Sequence, residues 1–276
     1  MSENNLTIGF IGAGNMAGAL IDGLIANGFD PACLYASDTN TARLEELAAK
    51  GIHTSQDNAE IVRQSSAVML AVKPQVMADV LKPLQATLSE HSCLLISIAA
   101  GISMDSLQSW SHPDQAIVRC MPNTPALVQV GASALFANPQ CTDGQKEVAQ
   151  SLLSAVGVVS WLEQESDMDA VTALSGSGPA YFFLLMEAMQ EAAIAQGLAP
   201  ETARLLCLQT ALGAATLASQ SDVDAAELRR RVTSPGGTTE AALRQFESEE
   251  FNAMVARALE KAAQRSRELA APAEKQ

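Results

Sequence analysis

An apolar run, Leu6–Ile11, ends in Gly12-Ala13-Gly14-Asn15-Met16-Ala17 and passes at once into a helical pattern over Ala17–Asn27. A strand that turns through glycines into a helix leaves the first amides of that helix without intrahelical partners. Those amides and the positive end of the helix dipole favour an anion. The first glycine permits the tight turn, the second lets a pyrophosphate approach the backbone, and the small Ala17 brings helix and strand close. The spacing Gly12-x-Gly14-x-x-Ala17 therefore predicts a dinucleotide-binding turn, with a plain strand-to-helix joint as its alternative.

The same alternation of strand and helix recurs along the first half of the chain. Leu34–Ser37, Ala67–Val72, Leu94–Ala99, Ile117–Met121, Ala132–Phe136 and Val158–Leu162 are short apolar runs, with amphipathic stretches such as Thr41–Lys50 among them. This β-α rhythm predicts an α/β, Rossmann-like domain over residues 1–164: a mostly parallel sheet covered by helices, binding ligands at the strand ends. From Glu165 the texture is helical. Val171–Gln196, Pro200–Ser219, Ala225–Val232, Thr238–Glu247 and Phe251–Leu269 carry apolar residues at helical spacing, and Ala270–Gln276 reads as a frayed tail. Residues 165–276 are thus expected to form an all-α domain. Its Phe182–Ala195 stretch is apolar most of the way round, which calls for burial beyond what so small a domain offers, hence a subunit interface.

A formal charge of −14 argues against nucleic acid or an anionic membrane surface as partner, since both require a basic patch. The five cysteines show no CxxC and no metal-ligand spacing, so no metal is expected, and those in or beside apolar runs read as buried, reduced thiols. No secretory leader pattern and no bilayer-length apolar run is seen, and the expectation is a protein of the reducing cytoplasm.

The cofactor's 2′ end is left open by the spacing. Asp38 falls where a carboxylate would grip a ribose hydroxyl, whereas Ser37 with Arg43 would suit a 2′-phosphate. The reaction is narrowed by two omissions. All histidines precede Pro113, and no lysine lies between Lys146 and Lys261, so the helical half has no histidine and its first helix no lysine, the acids that carbonyl reduction draws on. A C=N bond asks less, because an imine can enter already protonated and then needs orientation and a nearby hydride. Ser234-Pro235-Gly236-Gly237-Thr238-Thr239 offers successive amides at a helix start, a nest for a carboxylate or phosphate, or else a capped turn without a ligand. Ser175-Gly176-Ser177-Gly178-Pro179, inside a helical pattern, marks a close backbone approach, either packing or a nicotinamide nearby.

Taken in order, Gly9–Ala17, Ala71–Pro74, Ser97–Gly101, Met121–Ala126, Leu174–Tyr181 and Val232–Thr239 resemble the successive motifs of the pyrroline-5-carboxylate reductase family, across essentially the whole chain. The resemblance implies NAD(P)H-dependent reduction of 1-pyrroline-5-carboxylate to L-proline, by a homodimer that in many members assembles further into a decamer. It places Ile11, Gly12, Ala13, Gly14, Asn15 and Met16 on the pyrophosphate, Ser37 on the 2′-phosphate and Asn58 at the adenosine end. Ala71, Val72, Lys73, Pro74, Ala99, Ala100 and Gly101 would line the nicotinamide and its ribose. It places Ser234, Gly237, Thr238 and Thr239 on the substrate carboxylate, Thr239 at the proton donor and Glu165 near the substrate. Arg231 departs from the asparagine of some members and is left out of the site. NADP(H) is the expected cofactor, with NAD(H) kept open by Asp38. The alternatives are a reductase of another small cyclic imine carboxylate and a non-catalytic dinucleotide sensor.

Overall fold

The structure, a computed structural model, describes residues 6–270. One eight-stranded sheet has the order β3-β2-β1-β4-β5-β6-β7-β8. Its strands are β1 (Ile8–Ile11), β2 (Leu34–Ser37), β3 (His53–Ser55), β4 (Ala67–Leu70), β5 (Leu94–Ser97), β6 (Ile117–Met121), β7 (Gly131–Ala137) and β8 (Gly157–Trp161). Every neighbouring pair is parallel except β6 with β7. The central strands β1, β4 and β5 are buried at every residue, which explains why they read as continuous apolar runs. β3 escapes that signal: it is three residues long, none of them fully buried, and it is registered on β2 with the rings of Tyr35 and His53 stacked 4.8 Å apart.

Helices α1 (Asn15–Ala26), α2 (Thr41–Ala48), α3 (Asn58–Gln64), α4 (Met77–Leu81), α5 (Gln85–Glu90), α6 (Met104–Trp110) and α7 (Asp143–Ser154) connect the strands. Several starts are set by side chains: Asn40 accepts from the Ala42 and Arg43 amides, Asp57 caps α3, and Thr142 forms a capping box with Gln145. The apolar faces gather into two clusters. One holds Ile8, Phe10, Leu20 and Ile21, the other Leu70, Met77, Leu81, Leu107 and Trp110. Truncating the fully buried Phe10 to alanine would cost about 3–5 kcal/mol.

The remaining helices are α8 (Met168–Val171), α9 (Gly178–Ala195), α10 (Pro200–Ser219), α11 (Ala225–Arg231), α12 (Thr238–Ser248) and α13 (Phe251–Ala270). Ala270 closes α13, and the rest of the expected frayed tail, 271–276, lies outside the described residues. By packing, residues 6–177 join residues 262–270 in one compact unit, and Gly178–Lys261 forms the other. The loss of alternating texture at 165 and the division of packing after Ser177 are therefore separate events. Met168 and Ala173 are helical yet buried in the unit that contains the sheet.

In the second unit α9 and α10 pack together, but Phe182, Phe183, Leu184, Leu205 and Leu212 remain exposed. The apolar stretch expected to be buried is thus uncovered within one chain, which is how a surface meant for another subunit presents itself.

Candidate active site

The glycine turn lies at the carboxyl end of β1. Gly12 has φ +96°, and a Cβ there would sit 2.7 Å from the Ala71 carbonyl oxygen, so both conformation and space demand glycine. Its amide donates to the Ser37 carbonyl at 2.8 Å, and the Ala71 amide donates to that of Ile11 at the same distance. The turn is thereby tied to the strands on both sides of it. Gly14 is the N-cap of α1 with no side-chain bond to the helix amides, and nothing lies within 4 Å of its missing Cβ. Free amides with open space before them fit a pyrophosphate. Asn15 is exposed, Met16 half-buried, and Ile11 and Ala13 buried beneath the turn.

At the 2′ end Ser37 is buried, and its hydroxyl donates to Asn58 Oδ1 at 2.7 Å, which ties the end of β2 to the start of α3. The polar groups beside the turn are Asp38 and Arg43. Asp38 accepts from the Ala13 amide at 2.6 Å and from the Asn40 amide at 2.8 Å. Arg43 reaches Asn15 Oδ1 and Glu46, each at 3.3 Å. A carboxylate and a guanidinium thus flank the same turn.

Ala71–Pro74 follow β4, and Ala99–Gly101 follow β5, the next two strands beyond β1. All leave the sheet at the carboxyl edge that carries the glycine turn, as a nicotinamide site requires. Ala71 and Val72 are half-buried, Lys73 exposed, Ala99 and Gly101 buried. A cavity of 330 Å³ beside Gly101 is lined by Ser103, Arg119, Glu165, Asp169 and Arg267 among others. Glu165 opens a short 3₁₀ turn, and its Oε1 accepts both the Met104 amide, at 2.6 Å, and the guanidinium of Arg119 on β6.

In the second unit, Gly236 has φ +71° and its amide donates to Glu240 Oε2 at 2.7 Å. That bond, then the charge of Arg244, hold the Glu240 carboxyl below the usual glutamate range. The Gly237 amide is also taken, by the Ser234 carbonyl at 3.0 Å. Gly237 caps α12 without a side-chain bond, so the outward amides of the nest belong to Thr238 and Thr239. The chain's own carboxylate on Gly236 shows which charge the turn attracts.

Of the two glycines in Ser175–Gly178, Gly176 has a packing reason. Thr172–Gly176 is a π-helical turn, and a Cβ on Gly176 would collide with the Met121 methyl. Asn123 completes the contact, donating to the Ser175 hydroxyl at 3.2 Å. Sequence reasoning passed over Arg119, although an arginine inside the otherwise apolar run Ile117–Met121 was a signal that something must neutralise it.

Among the described residues no cluster of metal-ligating side chains occurs, and no helix is long and apolar enough to cross a membrane.

A mostly parallel sheet with a glycine turn at the head of its first helix, and two further loops at the same edge, is the architecture of nicotinamide-dependent oxidoreductases. Residues 7–101 match the family model for NADP oxidoreductase, coenzyme F420-dependent, and residues 165–269 match that for pyrroline-5-carboxylate reductase dimerisation. A pyrroline-5-carboxylate reductase of Pseudomonas aeruginosa is 53% identical over 95% of this chain and 96% of its own length. One from Vibrio alginolyticus is 47% identical, with coverage of 95% and 97%. Among solved structures, the Coxiella burnetii enzyme superposes with a TM-score of 0.93 at 44% identity, covering 96% of this chain and 99% of that one. The Plasmodium falciparum enzyme with NADP bound gives 0.85 at 30% identity, covering 96% and 98%. The chain belongs to the pyrroline-5-carboxylate reductase family.

Proposed function

We propose that this protein reduces 1-pyrroline-5-carboxylate to L-proline with NADP(H), the last step of proline biosynthesis. The carrying observation is end-to-end likeness: 53% identity over 95% of the chain to a reductase of that name. The geometry suits the chemistry. Two helix N-termini, those of α1 and α12, hold amides free for anions, one pyrophosphate and one carboxylate.

When bound, the nicotinamide supplies the hydride. The turn Gly12–Met16 holds its pyrophosphate through the amides of Gly14, Asn15 and Met16, those of Gly12 and Ala13 being taken by the Ser37 carbonyl and Asp38, and Ala71–Pro74 with Ala99–Gly101 frame the ribose and ring. The amides of Thr238 and Thr239, with Ser234, receive the substrate carboxylate. The imine carbon accepts the hydride while the ring nitrogen carries a proton. The Thr239 hydroxyl orients that nitrogen through a hydrogen bond. The proton comes from that hydroxyl, from water, or with an imine already protonated in solution. Glu165 is taken, on the family resemblance, as the carboxylate near the substrate. Asp38 beside the turn supports acceptance of NAD(H) as well.

The exposed apolar faces of α9 and α10, within the stretch that matches the dimerisation model, support a homodimer. Further assembly of dimers into a decamer is proposed on the family resemblance alone. Free cysteines, three of them buried along the sheet unit (Cys93, Cys120 and Cys141), suit the cytoplasm.

The test is steady-state oxidation of NADPH and of NADH with pyrroline-5-carboxylate, a piperideine carboxylate and an oxoacid, with the product identified. Turnover confined to pyrroline-5-carboxylate and yielding L-proline is expected. Cofactor binding without turnover of any of them would leave a dinucleotide sensor and overturn the proposal.

A further inference from the structure

We propose that Arg119 is a positioning residue for Glu165, fixing one carboxylate oxygen so that the other faces the substrate's ring nitrogen. The inference rests on the reading of Glu165 as a substrate-facing group.

Arg119 and Glu165 come from distant parts of the sheet unit. Arg119 stands on β6, opposite Ser97 of β5 and Phe136 of β7, and its side chain is only 13% exposed. A guanidinium that cannot discard its charge is kept there only if a partner answers it. The partner is Glu165, 29% exposed and just beyond β8.

Both donors meet a single oxygen. Oε1 accepts the Arg119 guanidinium and the Met104 amide, while Oε2 has no hydrogen-bond partner among the described residues. Two donors converging from a strand and from a helix start fix the carboxylate more tightly than one. The same cavity wall includes Gly101, the end of the run expected at the nicotinamide. A fixed carboxylate with one free oxygen beside that run suits a cationic N–H. Both the protonated imine and the secondary ammonium of proline present one.

A simpler role would be to tie the Glu165–Asp167 turn to the sheet. The two roles separate in a double-mutant cycle with Arg119→Ala, Arg119→Lys, Glu165→Gln and their combinations, measuring kcat, KM, the dissociation constant for NADPH and the melting temperature. Each single loss of the pair should lower kcat/KM by about 10- to 100-fold, the size of one charge-assisted hydrogen bond. Arg119→Lys should recover part of the loss. In the Glu165→Gln background, replacing Arg119 should add less than about twofold, and NADPH affinity should stay within about twofold.

Losses that multiply in the double variant, or that follow melting temperature or NADPH affinity instead of Glu165, would overturn the positioning role. If Arg119→Ala does not fold, Arg119→Lys measured with and without Glu165→Gln separates the two roles in the same way. Absence of turnover by the unaltered enzyme would instead sink the functional reading, so the two failures are distinct.

Discussion

Asp38 accepts the Ala13 amide of the glycine turn at 2.6 Å, placing a negative charge against the loop that receives the cofactor. Such a charge favours a ribose diol and opposes a 2′-phosphate, while Arg43, in the first turn of α2 and bonded to Asn15, opposes it in turn. We propose that the balance of the two sets the ratio of the cofactors.

Replacing Asp38 with serine should weaken NADH binding and shift preference toward NADPH by about tenfold or more, one charge-assisted hydrogen bond being worth about 1.5–3 kcal/mol. Arg43→Ala should shift it the other way. Fluorescence titration with both dinucleotides measures this. An unchanged ratio in both variants would remove the pair from cofactor choice.

Gly12→Ala should abolish tight dinucleotide binding and destabilise the fold. The residue would be held at φ +96° with its Cβ 2.7 Å from the Ala71 carbonyl oxygen. Strain of this kind costs on the order of 1–3 kcal/mol. Urea unfolding read alongside NADPH titration separates the two effects. Gly14→Ala, where the chain leaves open space, should lose cofactor affinity with little loss of stability.

Some of this was open to reading from residues alone. Leu34–Ser37 and Ile117–Met121 are strands to the residue, as short, largely apolar runs between helical patterns lead one to expect. A glycine turn leading into a helix was legible from Ser234–Thr239. Which side of a strand end faces the ligand was not. Neighbouring side chains there point opposite ways, and nothing in Ser37-Asp38 says which turns inward; the structure turns in the serine. The bracing of Glu165 was hidden for another reason. Its partners, Arg119 and Met104, are distant in sequence and meet only through the order of the sheet.

Thr239→Ala should raise KM and lower kcat, together about 1–3 kcal/mol in kcat/KM, and Thr239→Ser should keep most of the activity. Its backbone amide survives either change, so the carboxylate should still bind. Unchanged kinetics in the alanine variant at neutral pH would remove the hydroxyl from the reaction.

Burial pushes the thiols of Cys93 and Cys120 up to about 12. Since the thiolate is the reactive form, neither should react with a disulfide reagent at pH 8 until the protein unfolds. The raised values also set a sign. The unfolded chain releases these protons first, so stability should fall as pH climbs from the ordinary thiol range toward 12. Reaction of either cysteine as fast as a free thiol in the folded protein would contradict the burial.

Phe183→Glu or Leu184→Arg, on the uncovered face of α9, should dissociate the dimer and lower the melting temperature. Wild-type stability should in turn rise with protein concentration. Sedimentation and melting across a dilution series test both, and a monodisperse monomer at all concentrations would contradict them.

The sheet unit takes its last pieces from the far end of the chain: residues from Ala262 onward pack in it, and Leu269 lies over Gly101, with Cβ 3.3 Å from where that glycine would carry its own. A chain made from its N-terminus therefore holds an unfinished unit while the whole of Gly178–Lys261 is synthesised, on the order of several seconds at about 5–20 residues per second. Until then the loop after β5 lacks its cover. Completion of the cofactor half thus waits on synthesis of residues 262–270, and a chain interrupted before them leaves unfinished the part that was made first.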